Sequence, residues 1–117
     1  VVTMIASLWV EGVKSPWSPN FHAEPLTRAI VGTTNGPVWI GAQLFHDKGC
    51  LDCHLIAGQG GRRGPDLTDV ADRLTEKNMI LRIANGGGNM PAFAGTLKPE
   101  EMDELVAFLK TRKNPQP

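Results

Sequence analysis

Both cysteines of this 117-residue chain lie within five consecutive positions, and a histidine follows the second one. The stretch reads CLDCH, from Cys50 to His54, and no other cysteine occurs in the sequence. Thiols three positions apart can share one turn of a helix, with the imidazole directly beside them. Because thiols and imidazoles are nucleophiles and metal ligands, this stretch constrains both the fold and the chemistry of the chain.

The spacing Cys-x-x-Cys-His is typical of covalent haem attachment. Two thiols on one helical turn can add to the vinyl groups on one edge of a porphyrin. The adjacent imidazole then lies under the ring, where it can bind iron. The sequence therefore predicts one haem c that is bound through thioethers to Cys50 and Cys53, with His54 as an axial ligand of its iron.

Three other interpretations of the two thiols remain open. A disulfide between Cys50 and Cys53 is typical of a thioredoxin-like redox site, which needs a βαβ setting that this sequence lacks. A zinc site needs a fourth ligand, and the two other imidazoles, His22 and His46, stand in no paired motif. Finally, the cysteines can be buried core residues beside an unrelated histidine.

An iron atom bound by His54 has a second axial position. Six side chains are available for it: Met4, Met79, Met90, Met102, His22 and His46. We favour Met90, because it lies in the loop GGGNMPAF, where small residues allow a thioether to lie over a flat ring and Pro91 stiffens the backbone. Met79 and Met102 lie on predicted helices, where filling the core is the expected role.

Further residues are predicted to surround the haem. We expect the carbonyl of Pro65 to accept the free ring N–H of His54 and so to fix the imidazole tautomer. Either Arg62 or Arg63 is expected to neutralise a haem propionate, with exposed surface charge as the alternative. Five further residues are predicted to form the apolar walls of the pocket or the adjacent core: Leu67, Leu74, Met79, Ile83 and Phe93.

The composition predicts many loops and excludes one class of partner. Twelve basic side chains balance twelve acidic ones, so the chain lacks the basic excess of a nucleic-acid binder. Thirteen glycines and nine prolines are a high share for this length.

Helical periodicity and capping residues predict three main helices at residues 37–49, 75–86 and 98–113, and a short one at about 69–73. No strand pattern is convincing, and the expected fold class is all-α.

Residues 1–35 are predicted to precede a compact domain that spans residues 36–117. The opening VVTMIASLWV is apolar but too short to cross a bilayer. It fits the end of a transmembrane helix, a remnant of a signal peptide or an element packed on the domain. Residues 15–37 carry four prolines, which predicts an extended tether that either wraps the domain or links it to an upstream segment.

With Cys50, Cys53, His54 and Met90 in this order, residues 36–113 resemble a class I c-type cytochrome. The segment GAQLF resembles the first helix of that family, and GPDL resembles the loop whose proline carbonyl holds the proximal histidine. NMPAF resembles the distal loop, and LKPEEMDELVAFL resembles the closing helix. The resemblance implies three main helices around one haem, ligation by His54 and Met90, and one-electron transfer through the exposed haem edge.

The family resemblance also implies a specific helix contact. Gly41 and Phe45 of the first helix are expected to meet Leu105 and Phe108 of the last. Glycine at the first of these positions would allow the two helices to approach closely.

The apolar end, the proline-rich segment and the haem domain together resemble cytochrome c domains fused to the C-terminus of membrane cytochrome b subunits. This resemblance implies electrons derived from quinol in a quinol–cytochrome c reductase of a respiratory or photosynthetic chain, with redox proteins as partners. Because haem is attached to thiols outside the cytoplasm in bacterial proteins of the c-type cytochrome family, the first resemblance implies a location in the periplasm or on the outer face of the cytoplasmic membrane. With both axial positions filled, we expect an electron carrier and not an enzyme. The alternatives are a haem domain of a larger redox enzyme and a gas-binding sensor with a labile Met90.

Overall fold

The structure, a computed structural model, describes residues 19–114, so the predictions for the apolar flank at residues 1–10 lie outside the described residues. The three main helices and the all-α class are confirmed. In chain order the elements are α1 (Arg28–Val31), α2 (Gly36–Asp47), α3 (Cys50–Cys53), β1 (Leu55–Ile56), β2 (Gln59–Gly60), a 3-10 turn (Val70–Asp72), α4 (Glu76–Asn85) and α5 (Pro99–Leu109). None of the helices within residues 19–114 has both the length and the apolar character that a membrane span requires.

Helices α2 and α5 cross at a glycine. A Cβ built at Gly41 would overlap the backbone carbonyl of Glu104 and would lie 2.9 Å from Cβ of Phe108. Phe45 and Phe108 are fully buried beside this crossing, with ring centroids 5.8 Å apart. The predicted contact between the first and last helices is therefore present, and it forms the centre of the hydrophobic core.

Helix α4 follows its predicted boundaries closely. The hydroxyl of Thr75 accepts a hydrogen bond from the backbone N–H of Asn78 at 3.2 Å, which caps the first turn. Gly86 ends the helix with a positive φ of 68°. Met79 and Ile83 are buried, one turn apart on the face that points inward.

Helix α5 ends four residues earlier than predicted. The sequence predicts helix as far as residue 113, whereas α5 ends at Leu109. The chain then turns, and Arg112 reaches back to the carbonyl oxygens of Ile30 and Val31 at 2.8 and 3.2 Å. Within the same turn the Thr111 hydroxyl donates to the carbonyl of Phe108 at 2.6 Å, so a local bond and a tertiary contact both hold the chain after the helix ends.

One short hairpin was not predicted. Leu55 and Ile56 pair antiparallel with Gly60 and Gln59, and the turn between them places Ala57 at a φ of 51° and Gly58 at 81°. Strands of two residues are too short to show the alternating pattern by which strands are recognised.

Residues 23–31, which precede Gly36, pack on the domain. Ala23, Leu26 and Val31 belong to the same buried core as α2 and α5, so residues before the predicted boundary also pack on this core. These contacts correspond to the alternative in which the proline-rich segment wraps the domain. The few apolar residues of the proline-rich segment follow no regular period, so the sequence pattern predicted an extended tether there.

Candidate functional site

The two cysteines lie on a single helical turn next to the end of α2. Gly49, with a φ of 84°, redirects the chain between α2 and α3. Leu51 between the cysteines is fully buried and anchors this turn in the core. Cys50 and Cys53 are both half-buried and unpaired. They therefore lie on one turn at the edge of the core, as the attachment of a single group requires.

The imidazole of His54 is held in one orientation by the loop that follows. Its Nδ1 lies 2.8 Å from the carbonyl oxygen of Pro65. A carbonyl can only accept a hydrogen bond, so Nδ1 carries the proton and Nε2 keeps a free lone pair for a metal. Only 8% of His54 is exposed. The hydrogen bond expected from the sequence is thus present, and it leaves the other ring nitrogen available.

The backbone on both sides of His54 is fixed by the same loop. The N–H of Gly64 donates to the carbonyl of Cys53 at 2.7 Å, and the N–H of Leu67 donates to the carbonyl of Leu55 at 2.9 Å. These two bonds flank the histidine. The loop therefore clamps the backbone around His54 as well as its ring.

A cavity of about 1130 Å³ opens above these residues. Eleven of the twelve residues predicted from the sequence line it, and Arg62 is the exception, being exposed and outside the lining. The eleven are Cys50, Cys53, His54, Arg63, Pro65, Leu67, Leu74, Met79, Ile83, Met90 and Phe93. The fold therefore brings together residues from α3, α4 and three loops around one space.

The loop that carries Met90 is a tight backbone turn. Gly87 and Met90 exchange two backbone hydrogen bonds, at 2.8 and 3.1 Å. At Gly86, where φ is positive, a Cβ would lie 2.5 Å from the carbonyl oxygen of Met90. The glycine run is therefore required by this turn, which places half-buried Met90 on the wall of the cavity.

The other sulfur and imidazole candidates are placed less favourably. Met79 lines the cavity but is only 3% exposed and belongs to the core. Met102 packs against the core outside the cavity lining. Neither His22 nor His46 lines the cavity, and Nδ1 of His46 is 2.8 Å from its neighbour Asp47. Met4 lies outside the described residues.

Several lining residues were missed by the sequence. Gly64 lies against the His54 ring, and Phe21 reaches the cavity from the segment before the domain. No local signal in the sequence indicates either residue, because both positions depend on which backbone segments lie side by side. The other missed residues are Lys48, Gly49, Asp52, Val70, Arg73, Asn78, Leu81, Arg82, Asn85, Gly86, Gly87, Asn89, Pro91 and Leu109.

The environment of the thiols bears on the alternative interpretations. Burial raises the pKa of the Cys50 thiol to about 12. A thioredoxin-like site needs the opposite shift, because its attacking cysteine reacts as a thiolate.

Among residues 19–114, no group of three or more His, Cys, Asp and Glu side chains is arranged to hold a metal ion. The zinc interpretation therefore has no ligand set in this part of the chain.

These residues fit a haem. The cavity offers two thiols on one edge, an imidazole nitrogen with a free lone pair, a thioether and several apolar walls. Such a set matches the attachment, ligation and burial that a c-type haem requires.

Comparison with known proteins places the chain in a family. A family model described as cytochrome c oxidase, cbb3-type, subunit III matches residues 38–109, and the chain belongs to this family. Its fold is similar to the crystal structure of the c-type cytochrome SorU from Sinorhizobium meliloti, with a TM-score of 0.56 at 24% identity. That match covers 66% of this chain and 91% of the other.

Two curated relatives extend the comparison. The menaquinol:cytochrome c reductase cytochrome c subunit of Bacillus subtilis (strain 168) is 36% identical over 102 residues, which are 86% of this chain and 38% of that protein. Cytochrome c6 of Nostoc sp. is 32% identical over 74 residues, which are 59% of this chain and 65% of that protein. The chain thus matches less than two thirds of the length of each. Together with the site, these findings define a cytochrome c domain that binds haem c through Cys50 and Cys53 and carries electrons.

Proposed function

We propose that His54 and Met90 are the axial ligands of the haem iron and that the domain transfers one electron at a time between redox proteins. The observation that carries this proposal is the hydrogen bond from His54 Nδ1 to the Pro65 carbonyl, because it directs the free Nε2 lone pair away from the loop. Met90 supplies a thioether on the wall of the same cavity. Haem c supplies the one-electron couple.

The protein's residues set the properties of that couple. A thioether ligand and an apolar pocket both favour the less charged, reduced iron and so raise the reduction potential. The hydrogen bond from His54 lowers the reduction potential, because it makes the imidazole a stronger base.

If His54 and Met90 fill both axial positions, no position on the iron is left for a substrate, which supports a carrier and not an enzyme. We assign the neutralisation of a propionate to Arg63, which lines the cavity.

The mouth of the cavity supports docking of a partner through apolar contact. The exposed large hydrophobic residues of the described chain include Phe21 at 74%, Leu81 at 46% and Leu74 at 37%, and all three line the cavity. The formal net charge of the chain is zero. Long-range electrostatic steering is therefore weak, and an encounter depends on this apolar rim or on tethering of the partner.

We place the domain in a quinol–cytochrome c reductase, on the outer face of the cytoplasmic membrane. The support is the relative from Bacillus subtilis, whose similarity extends over 86% of this chain and therefore beyond residues 38–109. In this arrangement the N-terminal part of the chain joins the haem domain to an upstream membrane segment, and a cytochrome b subunit or a quinol-oxidising partner delivers the electron.

Substitution of the methionines tests the ligation. In Met90→Ala, the weak far-red absorption band of an iron–thioether bond is expected to disappear from the oxidised protein, and the reduced protein should bind carbon monoxide. Met102→Leu is the matched control, because Met102 packs in the core and does not line the cavity. A far-red band that survives in Met90→Ala, or that wild type lacks, would refute the proposed ligand. Ready binding of carbon monoxide by wild type would favour a gas sensor.

The assignment to a reductase is tested separately. Membranes that contain the full-length protein are supplied with a quinol, and reduction of the c-type haem is followed by its absorption. Reduction that requires the cytochrome b subunit supports the assignment. Equal reduction in membranes without that subunit would contradict it and would leave the ligation unaffected.

A further inference from the structure

The loop from Gly61 to Thr68 runs beside the segment that carries the cysteines and His54. Its backbone donors meet successive acceptors of that segment: Gly61 to Leu51 at 2.9 Å, Gly64 to Cys53 at 2.7 Å, and Leu67 to Leu55 at 2.9 Å. Pro65 lies between two of these bonds. The position of its carbonyl, which meets His54, therefore depends on how firmly the end of this loop is held.

Asp66 and Thr68 hold that end through their side chains. Oδ1 of Asp66 accepts a hydrogen bond from the backbone N–H of Thr68 at 2.9 Å and another from its hydroxyl at 2.5 Å. The same hydroxyl oxygen accepts the backbone N–H of Ala57 at 2.9 Å. A hydroxyl has one proton to donate and lone pairs to accept with, so both bonds form at the same time.

The backbone of Asp66 is fixed as well. Its carbonyl oxygen accepts a hydrogen bond from Nη2 of Arg73 at 2.7 Å, and the other guanidinium nitrogen lies 3.7 Å from Oδ1 of Asp69. Asp66 is therefore held at its side chain by Thr68 and at its carbonyl by Arg73. The residue before it, Pro65, gains a fixed direction for its own carbonyl.

Ala57, at the other end of the Thr68 contact, lies in an unfavourable backbone conformation. Its φ of 51° is in the left-handed region, which costs energy in a residue that has a Cβ. The turn that contains Ala57 follows His54 by three residues. Thr68 thus joins the turn on one side of His54 to the loop that carries Pro65 on the other.

We propose that Thr68 is a positioning residue for His54 and sets the reduction potential through the Pro65 carbonyl. This inference rests on the proposed ligation by His54. A well-directed bond from Nδ1–H to Pro65 increases the basicity of the imidazole, which stabilises oxidised iron. Loss of the Thr68 hydroxyl loosens the loop and weakens that bond, so the potential rises.

Three variants of the holoprotein test this inference. Thr68→Val keeps the shape of the side chain and removes its hydroxyl, whereas Thr68→Ser keeps the hydroxyl. Thr33→Val is the matched control, because the Thr33 hydroxyl donates to Asn35 at 3.0 Å in a loop outside the cavity lining. The measurements are the reduction potential, the exchange of the His54 Nδ1 proton with solvent by NMR, and the exchange of the Ala57 amide.

In Thr68→Val we expect a higher reduction potential and faster exchange of the His54 Nδ1 proton. The Ala57 amide should exchange about fivefold faster, the factor that corresponds to one lost hydrogen bond of ordinary strength. Thr68→Ser and Thr33→Val should match wild type in all three measurements. Should Thr68→Val not mature, Asp66→Asn, which weakens the acceptor for Thr68, replaces it. Because loss of the carboxylate charge raises the potential by itself, this variant is judged by faster exchange of the His54 Nδ1 proton and of the Ala57 amide, and unchanged exchange of the His54 proton would overturn the inference.

The inference is overturned if the Ala57 amide exchanges faster while the potential and the His54 proton are unchanged, because Thr68 then has only a local structural role. Equal shifts in Thr68→Val and Thr68→Ser would overturn it too. Failure of the proposed ligation is recognised separately, since the wild-type spectrum would then lack haem-shifted His54 ring resonances.

Discussion

Gly64 lies directly against the imidazole of His54. A Cβ at position 64 would lie 2.6 Å from Cε1 of the ring and 2.8 Å from Nδ1, which is closer than such atoms approach. The glycine therefore allows the loop to reach the face of the histidine, and the ring orientation depends on the absence of a side chain there.

Gly64→Ala is expected to displace His54 and to weaken its bond to Pro65. Overpacking of this kind costs about 1–3 kcal/mol of stability, and less holoprotein should mature. Unfolding of the holoprotein in urea measures the loss. Gly95→Ala is the control, because a Cβ there meets nothing within 4 Å, and an equal loss in both variants would contradict the role of Gly64.

Gly41→Ala is expected to separate α2 from α5. The added methyl would overlap the backbone carbonyl of Glu104. This carbonyl belongs to helix α5, so it can move only if the helix moves. We expect a loss of about 1–3 kcal/mol from overpacking, even though alanine is intrinsically the better helix former. Chemical denaturation measures it, with Gln43→Ala on the exposed side of the same helix as control. A variant as stable as wild type would show that the crossing tolerates a wider spacing.

Arg112→Ala is expected to release the segment around α1. The guanidinium donates to the carbonyls of Ile30 and Val31 and lies 5.0 Å from the centre of the Phe108 ring. Loss of these contacts should cost about 1–2 kcal/mol and should make residues 20–35 more susceptible to proteolysis than the rest of the domain. The exposed Lys113, substituted by alanine, is the control. Uniform susceptibility along the chain would contradict a specific role for Arg112.

Glu101→Ala is expected to lower stability more at neutral pH than in acid. The backbone N–H of Lys98 donates to Oε1 of Glu101 at 2.9 Å and, together with Lys48, lowers the pKa of that carboxyl. A lowered pKa in the folded state means that the stabilisation is present above the ordinary glutamate pKa and is lost as the pH falls through the folded value. The melting temperature, measured at a series of pH values between about 3 and 7, shows this loss because the range spans the ordinary glutamate pKa. If the difference in melting temperature between Glu101→Ala and Glu100→Ala is the same at every pH, the stabilising role of the Glu101 carboxylate is refuted.

Phe21→Ala is expected to lower the reduction potential. Phe21 follows Asn20, whose backbone N–H donates to the carbonyl of Asp52 at 2.6 Å beside the cysteines, so the ring lies at the mouth of the cavity. Removing it admits water near the haem, which favours the more highly charged, oxidised iron. Potentiometry measures the shift. Ile40→Ala removes an exposed hydrophobic residue outside the cavity lining and should leave the potential unchanged, and equal shifts would count against Phe21.

Local signals in the sequence predicted much of the fold. Thr75 and Gly86 bound α4 as expected, because a cap and a helix-ending glycine act on their own neighbours. The end of α5 differs from the prediction, because the turn after Leu109 is held by the Thr111 hydroxyl on the carbonyl of Phe108 and by Arg112 on α1, about 80 residues away in the chain. The hairpin at Leu55 and Ile56 was missed for a different reason, since it is shorter than one period of the pattern that reveals strands.

The candidate site divides in the same way. Cys50, Cys53 and His54 form the Cys-x-x-Cys-His motif of covalent haem attachment, so the cofactor could be inferred without a structure. The partnership of His54 with Pro65 was also accessible, since both lie in short motifs. The roles of Gly64, Thr68 and Phe21 were not, because they depend on which backbone segments lie side by side.

The order of the residues alone determined the haem attachment, the all-α class and the three main helices, because each rests on spacing within one or two turns of the chain. The tertiary structure alone decided which arginine lines the cavity, that Ala23, Leu26 and Val31 pack in the core and what holds the loop behind His54. Those features arise from contacts between distant segments. Whether such a contact forms depends on the shape and burial of the whole core, which no local pattern records.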